Sequence, residues 1–256
     1  MINNPFILYG YESEKYFCDR KTETAELKRL VTNGNNVALI APRRIGKTGL
    51  IENLFHQKDI ERQYYTFLID IFATKSLEEM VLAMSISMLA SLRPKGTKVM
   101  LAFVNLLTSL RTGITLDAMG NPSWNLEVGS IKQPRATLDE IFQYINEATK
   151  PCIIAIDEFQ TVSSYVDGKV EALLRTYIQH CRNAQFIFSG SQRTLMGEIF
   201  GSPSRPFYQS TSMMNLNTIA IDKYIKFAQG HFADAGKYIS EDVVVMVYQQ
   251  FDGVTW

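Results

Sequence analysis

Short apolar runs alternate with longer amphipathic stretches along most of this chain, and the two kinds of segment predict different elements. Asn36–Ala41 (NVALIA), Cys152–Ile156 (CIIAI) and Gln185–Ser189 (QFIFS) are near-continuous apolar runs, and Tyr64–Phe72 (YYTFLIDIF) is rich in aromatic and β-branched residues. Such runs are how strands buried on both faces of a parallel sheet read. Helical spacing follows or separates them at about Lys47–Gln57, Leu77–Leu92, Lys98–Leu110, Pro134–Thr149, Lys169–Arg182 and from Arg193 onwards. Pro134 suits a first helical turn. Ile114–Val128 (ITLDAMGNPSWNLEV) differs, with two alternating segments around Gly-Asn-Pro. It predicts a β-hairpin inserted between helices, spanning about 113–131.

Strands alternating with helices mean an α/β fold, a parallel sheet flanked by helices on both faces. Near Thr218 the rhythm turns purely helical, with helices predicted at Ile221–Ala235 and Glu241–Phe251. Their apolar residues Ile225, Phe227, Phe232, Val244, Val247 and Phe251 are expected to pack on the preceding part. The predicted organisation is one domain over 1–218 and a short C-terminal helical part over 219–256. No internal repeat is visible.

Composition and charge narrow the class. With 46% hydrophobic and 20% charged residues the chain reads as globular rather than disordered. Lys+Arg and Asp+Glu are 26 each, so the basic excess of a dedicated nucleic-acid binder is missing, although a local patch can hide in a neutral total. Cys18, Cys152 and Cys181 show no CxxC or Cys/His spacing, which argues against zinc and a disulfide framework and suits a reducing cytosol. Met1–Gly10 lacks the regions of a signal peptide, and Met80–Leu92, interrupted by Ser, is too short for a membrane span. The expectation is a cytoplasmic protein with no membrane partner.

The chemistry concentrates at the ends of the predicted strands. Ala41-Pro42-Arg43-Arg44-Ile45-Gly46-Lys47-Thr48 fits G-x-x-x-x-G-K-[ST] with Ala in the first glycine position, directly between a strand and a helix. In that context the loop and helix start, Pro42 to Gly49, form an anion cradle of backbone N–H groups. Gly46 lets the backbone close around phosphates, Lys47 reaches the β/γ oxygens, and Thr48 offers a hydroxyl to Mg²⁺. Chance alone produces such a string in roughly one chain in fifty of this length.

Cys152–Ile156 runs directly into Asp157-Glu158, the Walker B arrangement. There Asp157 can hold Mg²⁺ through water and Glu158 can act as general base. The plainer alternative is a pair of carboxylates facing solvent or capping a helix. At the end of the last strand, Ser189-Gly190-Ser191-Gln192 places Ser191 or Gln192 where either could orient a lytic water, unless Ser191 simply caps the next helix. Asp70 belongs to the same rim, as a metal or water ligand or as a structural hydrogen-bonding group. Arg205, in Ser-Arg-Pro-Phe-Tyr, is a candidate for stabilising transferring phosphate, in cis or across a subunit interface. His56, His180 and His231 stand isolated on helices and are assigned no catalysis.

With these residues placed, the chain resembles the AAA+-like ATPases of the archaeal-ATPase group, related to the STAND class of signalling NTPases and found in bacteria as well. Phe17-Cys18-Asp19-Arg20-Lys21-Thr22-Glu23 is similar to the F-x-D/G-R-x-x-E box that lies near the adenine, which implies nucleotide contacts for Asp19 and Arg20. The Arg-Arg of the phosphate loop, Ile156-Asp157-Glu158-Phe159-Gln160, Phe188-Ser189-Gly190-Ser191 and Arg205-Pro206-Phe207-Tyr208 resemble the group's further motifs. The resemblance implies a P-loop NTPase fold of the additional-strand, AAA+-like type, with a fifth strand that the pattern does not reveal. It implies ATP and Mg²⁺ as cofactors and an ATP-hydrolysing molecular switch; the alternatives are a nucleotide-gated interaction scaffold or a DNA-associated, initiator-like ATPase. It also implies a continuation past Trp256 into a winged-helix module, so the chain reads as truncated. On that reading DNA is reached only through the missing module, and the expected partner is a protein or a second copy.

Overall fold

The computed structural model describes residues 6, 10–107, 114–116, 122–124, 131 and 133–254. In chain order the elements are α1 (Lys21–Thr32), β1 (Val37–Ile40), α2 (Lys47–Phe55), α3 (Lys58–Gln63), β2 (Tyr65–Asp70), α4 (Leu77–Leu92) and α5 (Thr97–Leu106). There follow β3 (Ile114–Leu116), β4 (Pro122–Trp124), α6 (Pro134–Glu147), β5 (Cys152–Asp157), α7 (Val170–His180), β6 (Ala184–Gly190) and α8 (Arg193–Gly201). The chain ends on β7 (Ser212–Asn215), α9 (Ile221–Asp234) and α10 (Glu241–Gln250). Single 3-10 turns lie at Glu14–Tyr16, Arg93–Lys95 and Phe159–Ser164.

Five strands form one sheet in the order β2-β5-β6-β1-β7, each pair parallel. Because side chains alternate along a strand, β1, β5 and β6 each feed two cores. Ala38, Ile40, Phe67, Ile69, Ile154, Ile156, Phe186 and Phe188 pack on one face with residues of α4 to α8. Val37, Leu39, Ile153, Ala155 and Ile187 pack on the other with Leu27 and Val31 of α1, Leu50, Ile51 and Leu54 of α2, and Ile60 of α3. β1 and β5 are buried along their whole length and β6 nearly so, while β2 keeps Leu68 partly buried on its second face, which is why the four readable strands are largely apolar.

The fifth strand is β7, and its sequence Ser-Met-Met-Asn explains why no pattern announced it. It is an edge strand in which only Met214 is buried while Met213 is 50% exposed. The segments α1 and α3 also lay outside the sequence reading. The inserted hairpin is present as antiparallel β3–β4, with Ile114 opposite Trp124. The hairpin residues after Trp124, and the continuation of α5 to Leu110, lie outside the described residues.

Beyond β7, Ile225 and Ala228 of α9 pack on Val244 of α10, with Phe6, Tyr224 and Ile239 around them. Val247 and Phe251, expected to pack inward, are instead 42% and 61% exposed. Among the described residues no helix is long and apolar enough to cross a membrane.

Candidate functional site

The loop between β1 and α2 reverses the chain within residues 41–46. Gly46 makes this possible with φ 88°, a left-handed conformation that costs other residues steric strain. A Cβ there would touch nothing, so the requirement is conformational rather than spatial. Gly46 caps α2, whose first N–H groups remain without intrahelical partners and carry the positive end of the helix dipole. Lys47 curls back over its own loop, and its Nζ donates to the carbonyls of Ala41 and Pro42, both at 3.2 Å. Burial lowers the pKa of this ammonium. Glu158 and Asp157 act against that shift, and Arg43 adds to it.

The carboxylates come from the neighbouring strand ends. Parallel register places Asp70 of β2 opposite Asp157 of β5. Thr48 Oγ1 donates to Asp157 Oδ2 at 2.8 Å, while the Glu158 N–H donates to Asp157 Oδ1 at 3.0 Å. Glu158 itself is left-handed, with φ 55°, and its Oε2 accepts from Ser191 Oγ at 2.6 Å and from Gln160 Nε2. Asp70 accepts the Phe72 N–H at 2.8 Å. Partial burial raises the Asp70 pKa and the charges of Asp157 and Glu158 add to it, against the lowering effect of the Phe72 bond.

Among the described residues no three His, Cys, Asp or Glu side chains gather into a metal cage. The Thr48–Asp157 pair nevertheless fits Mg²⁺, a hard cation that keeps several waters and takes few protein oxygens when phosphate supplies the rest.

The same cleft, of about 640 Å³, continues to an aromatic end lined by Phe6, Tyr16, Phe17, Ile219, Tyr224 and Phe227. His231 holds this end together. It stacks on Tyr16 with ring centroids 5.5 Å apart, meets Phe227 edge-on at 4.5 Å, and its Nε2 lies 3.1 Å from the Lys15 carbonyl. Lys15 in turn pairs with Asp234 at 2.9 Å, so α9 is tied to the segment leading into α1. Cys18 also lines the cleft; burial pushes its thiol up to about 12, which keeps it protonated and a poor nucleophile.

Of the residues singled out in the sequence, Arg20, Arg43, Arg44, Ile45, Gly46, Lys47, Thr48, Gly49, Asp70, Asp157 and Glu158 line this one cleft. Arg20, expected at the nucleotide, has its guanidinium buried and committed. Its Nη2 donates to the carbonyls of Ile45 at 3.0 Å and Asn217 at 2.6 Å, and its Nη1 to Glu23 at 2.8 Å, so it braces the phosphate loop from behind.

Asp19, Pro42, Ser191, Gln192 and Arg205 do not line the cleft. Gln192 is exposed at the start of α8. Ser191 is not that helix's cap; its hydroxyl goes to Glu158 instead. Arg205 bonds Ser163 Oγ at 2.7 Å and forms an ion pair with Glu171, because those partners lie on the turn and helix just after Glu158. Of the aromatic end, the sequence pointed only to Phe17, through the box resembling one near the adenine; Tyr224 and Phe227 were missed, because they stand at i and i+3 on an amphipathic helix, a spacing that also suits packing alone.

The chain resembles solved structures of known ATPase-type folds. The Walker-type ATPase PABY2304 of Pyrococcus abyssi superposes with a TM-score of 0.65 and 18% identity, covering 98% of this chain and 68% of that one. The ORC2 protein of Aeropyrum pernix in its ADPNP–ADP complexes gives 0.57 and 14%, over 90% of this chain and 55% of that one. The A. pernix ORC1 protein in complex with DNA gives 0.52 and 10%, over 85% and 50%. The chain therefore spans about two thirds of the first and about half of the other two. At these identities the likeness establishes the fold, the P-loop AAA+ type. Comparison with curated proteins gives no match. Residues 17–256 match the family described as an ATPase domain predominantly from Archaea, and the chain belongs to that family.

Proposed function

We propose that this chain binds ATP with Mg²⁺ in the cleft, hydrolyses it, and uses the turnover to switch conformation. The observation that carries the reading is the Thr48–Asp157 hydrogen bond, which brings the phosphate loop and the acidic strand end together beside Lys47 and Glu158. The N–H groups around Gly46 and the start of α2 hold the β and γ phosphates. Lys47 keeps two of its three ammonium donors on Ala41 and Pro42, which leaves one for a phosphate oxygen. Thr48 and Asp157 are the residues that would hold Mg²⁺, which would supply positive charge beside the phosphate oxygens.

Glu158 accepts a proton from the attacking water as the water oxygen bonds to the γ phosphorus and the bond to the β–γ bridging oxygen breaks. Its Oε2 is engaged by Ser191 and Gln160, so Oε1 is the atom turned to the water. The aromatic end suits a purine ring, because stacking needs flat apolar walls. We assign the C-terminal helical part, 219–256, to a lid over that end, since α9 contributes Tyr224 and Phe227 to it. The neutral total charge weighs against DNA binding by this chain, so the partner we favour is a protein or a second copy, and cysteines without disulfide or metal spacing suit the cytoplasm. The likeness to the ORC1 protein in complex with DNA keeps a DNA-associated role as the second reading.

Steady-state phosphate release from MgATP tests the reading. The parental chain should turn over, and Glu158→Gln should bind with unchanged affinity and run at least about 100-fold slower. Binding without turnover in the parent would favour the scaffold; equal rates in both would put the base elsewhere.

A further inference from the structure

Two short motifs, Phe159-Gln160 and Ser189-Gly190-Ser191, lie beside the phosphate chemistry without lining the cleft, and the structure joins them at one atom. Phe159 is fully buried and anchors the turn after Glu158 among Phe188, Phe200 and Phe207, with ring centroids 4.6, 5.8 and 5.2 Å away. The next residue, Gln160, is 3% exposed, and its Nε2 donates to Glu158 Oε2, the oxygen that also accepts from Ser191. Gly190 makes room for this. A Cβ added there would stand 2.6 Å from Gln160 Oε1 and closer still to the Met196 thioether.

The carboxamide is not held by a network of its own. Gln160 Oε1 is buried with no partner among the described residues. Leaving such a group unsatisfied is unfavourable, and an apolar side chain of the same length would fill the space without that cost. The amide end is therefore the reason for a glutamine at this position.

We infer that Gln160 is a positioning residue for Glu158: its buried carboxamide, admitted by Gly190, fixes Oε2 jointly with Ser191 and thereby aims Oε1 at the attacking water. The logic is that of a base oriented by a third group. A base with a free side chain visits the productive rotamer only part of the time, and locking it raises the rate without touching substrate affinity. Gln160 does not line the cleft. This inference rests on the hydrolytic reading above.

The test is Gln160→Met, which keeps length and volume and removes the donor, with Gln160→Leu as a second apolar replacement. Both should leave the affinity for a fluorescent ATP analogue within about twofold of the parent and lower kcat roughly tenfold or more, with KM unchanged. In a Glu158→Gln background the same changes should cost nothing further, because Gln160 acts only through that carboxylate. A crystal structure of nucleotide-free Gln160→Met should show Glu158 released into other rotamers.

Parental kcat in both variants, a loss of nucleotide binding parallel to the loss of rate, or a further tenfold loss on top of Glu158→Gln would each overturn the inference. A parental chain that binds MgATP and releases no phosphate would overturn the hydrolytic reading, and this inference with it.

Discussion

Thr48 and Asp157 lie 109 residues apart in sequence and meet through a 2.8 Å hydrogen bond from Thr48 Oγ1 to Asp157 Oδ2. The contact exists because β1 and β5 both flank β6, so the loop leaving β1 and the acidic end of β5 open on the same edge of the sheet. A hydroxyl and a carboxylate at that edge are what an oxygen-seeking divalent cation needs beside phosphate.

If Asp157 acts on the metal rather than on the phosphates, Asp157→Asn should bind ATP in chelator about as well as the parent. It should lose most of the gain in affinity that added Mg²⁺ gives the parent, on the order of tenfold or more. Titrations with and without Mg²⁺ separate the terms, and an unchanged Mg²⁺ dependence would remove Asp157 from the metal.

Lys47 makes a pH prediction with a definite sign. Burial holds its pKa below the ordinary lysine value in the free protein, and the charges of a bound triphosphate must raise it. In the alkaline window between those two pKa values, binding takes up a proton and affinity falls as pH rises. Stability moves the other way. The unfolded chain binds that proton more tightly, so the nucleotide-free protein gains stability as pH rises through the folded pKa. Calorimetry in buffers of different ionisation enthalpy should detect the uptake at alkaline pH. Lys47→Ala should lose both the uptake and at least about 100-fold in affinity, a scale set by losing a charge-assisted contact to phosphate.

Asp70 gives the opposite case for a carboxylate. Its folded pKa is raised, so the folded state holds the proton more tightly than the unfolded chain. Stability from this group is greatest below the ordinary aspartate pKa and falls as pH rises through the raised one. Asp70→Asn should therefore raise Tm at pH 7, with the difference shrinking as pH approaches 4. A Tm at pH 7 equal to or below that of the parent would show that neither the partial burial of Asp70 nor repulsion from Asp157 and Glu158 disfavours its charged form.

Arg205 is the test of whether a motif arginine acts on phosphate or on its own fold. With Glu171 buried and Ser163 beside it, Arg205→Ala should destabilise the chain by about 1–3 kcal/mol, the scale of leaving a buried polar partner unsatisfied. Arg205→Ala with Glu171→Ala should be little worse than either alone. Mixing Arg205→Ala with Glu158→Gln protein asks the other question: recovered phosphate release would mean that the arginine serves a neighbouring subunit's site.

The phosphate loop and the acidic pair were legible because their chemistry depends on adjacency along the chain. Gly46, Lys47 and Thr48 sit at the junction of a strand and a helix, and Asp157-Glu158 ends a strand, so local pattern carries both. Four strands were legible for a related reason: β1, β5 and β6 are buried on both faces, and β2, at one edge, still reads as aromatic and β-branched. At the other edge the pattern is silent in β7, where only Met214 is buried and Met213 is half exposed. The aromatic end of the cleft, the Arg20 brace on Ile45, the Arg205 pairing with Glu171 and the Gln160–Gly190 fit are contacts between segments remote in sequence or turned by backbone geometry. Residue type and spacing say that an arginine or a glutamine is present. Only the packing of the sheet and its helices decides which neighbour takes each donor, because that choice depends on distances set by the whole core.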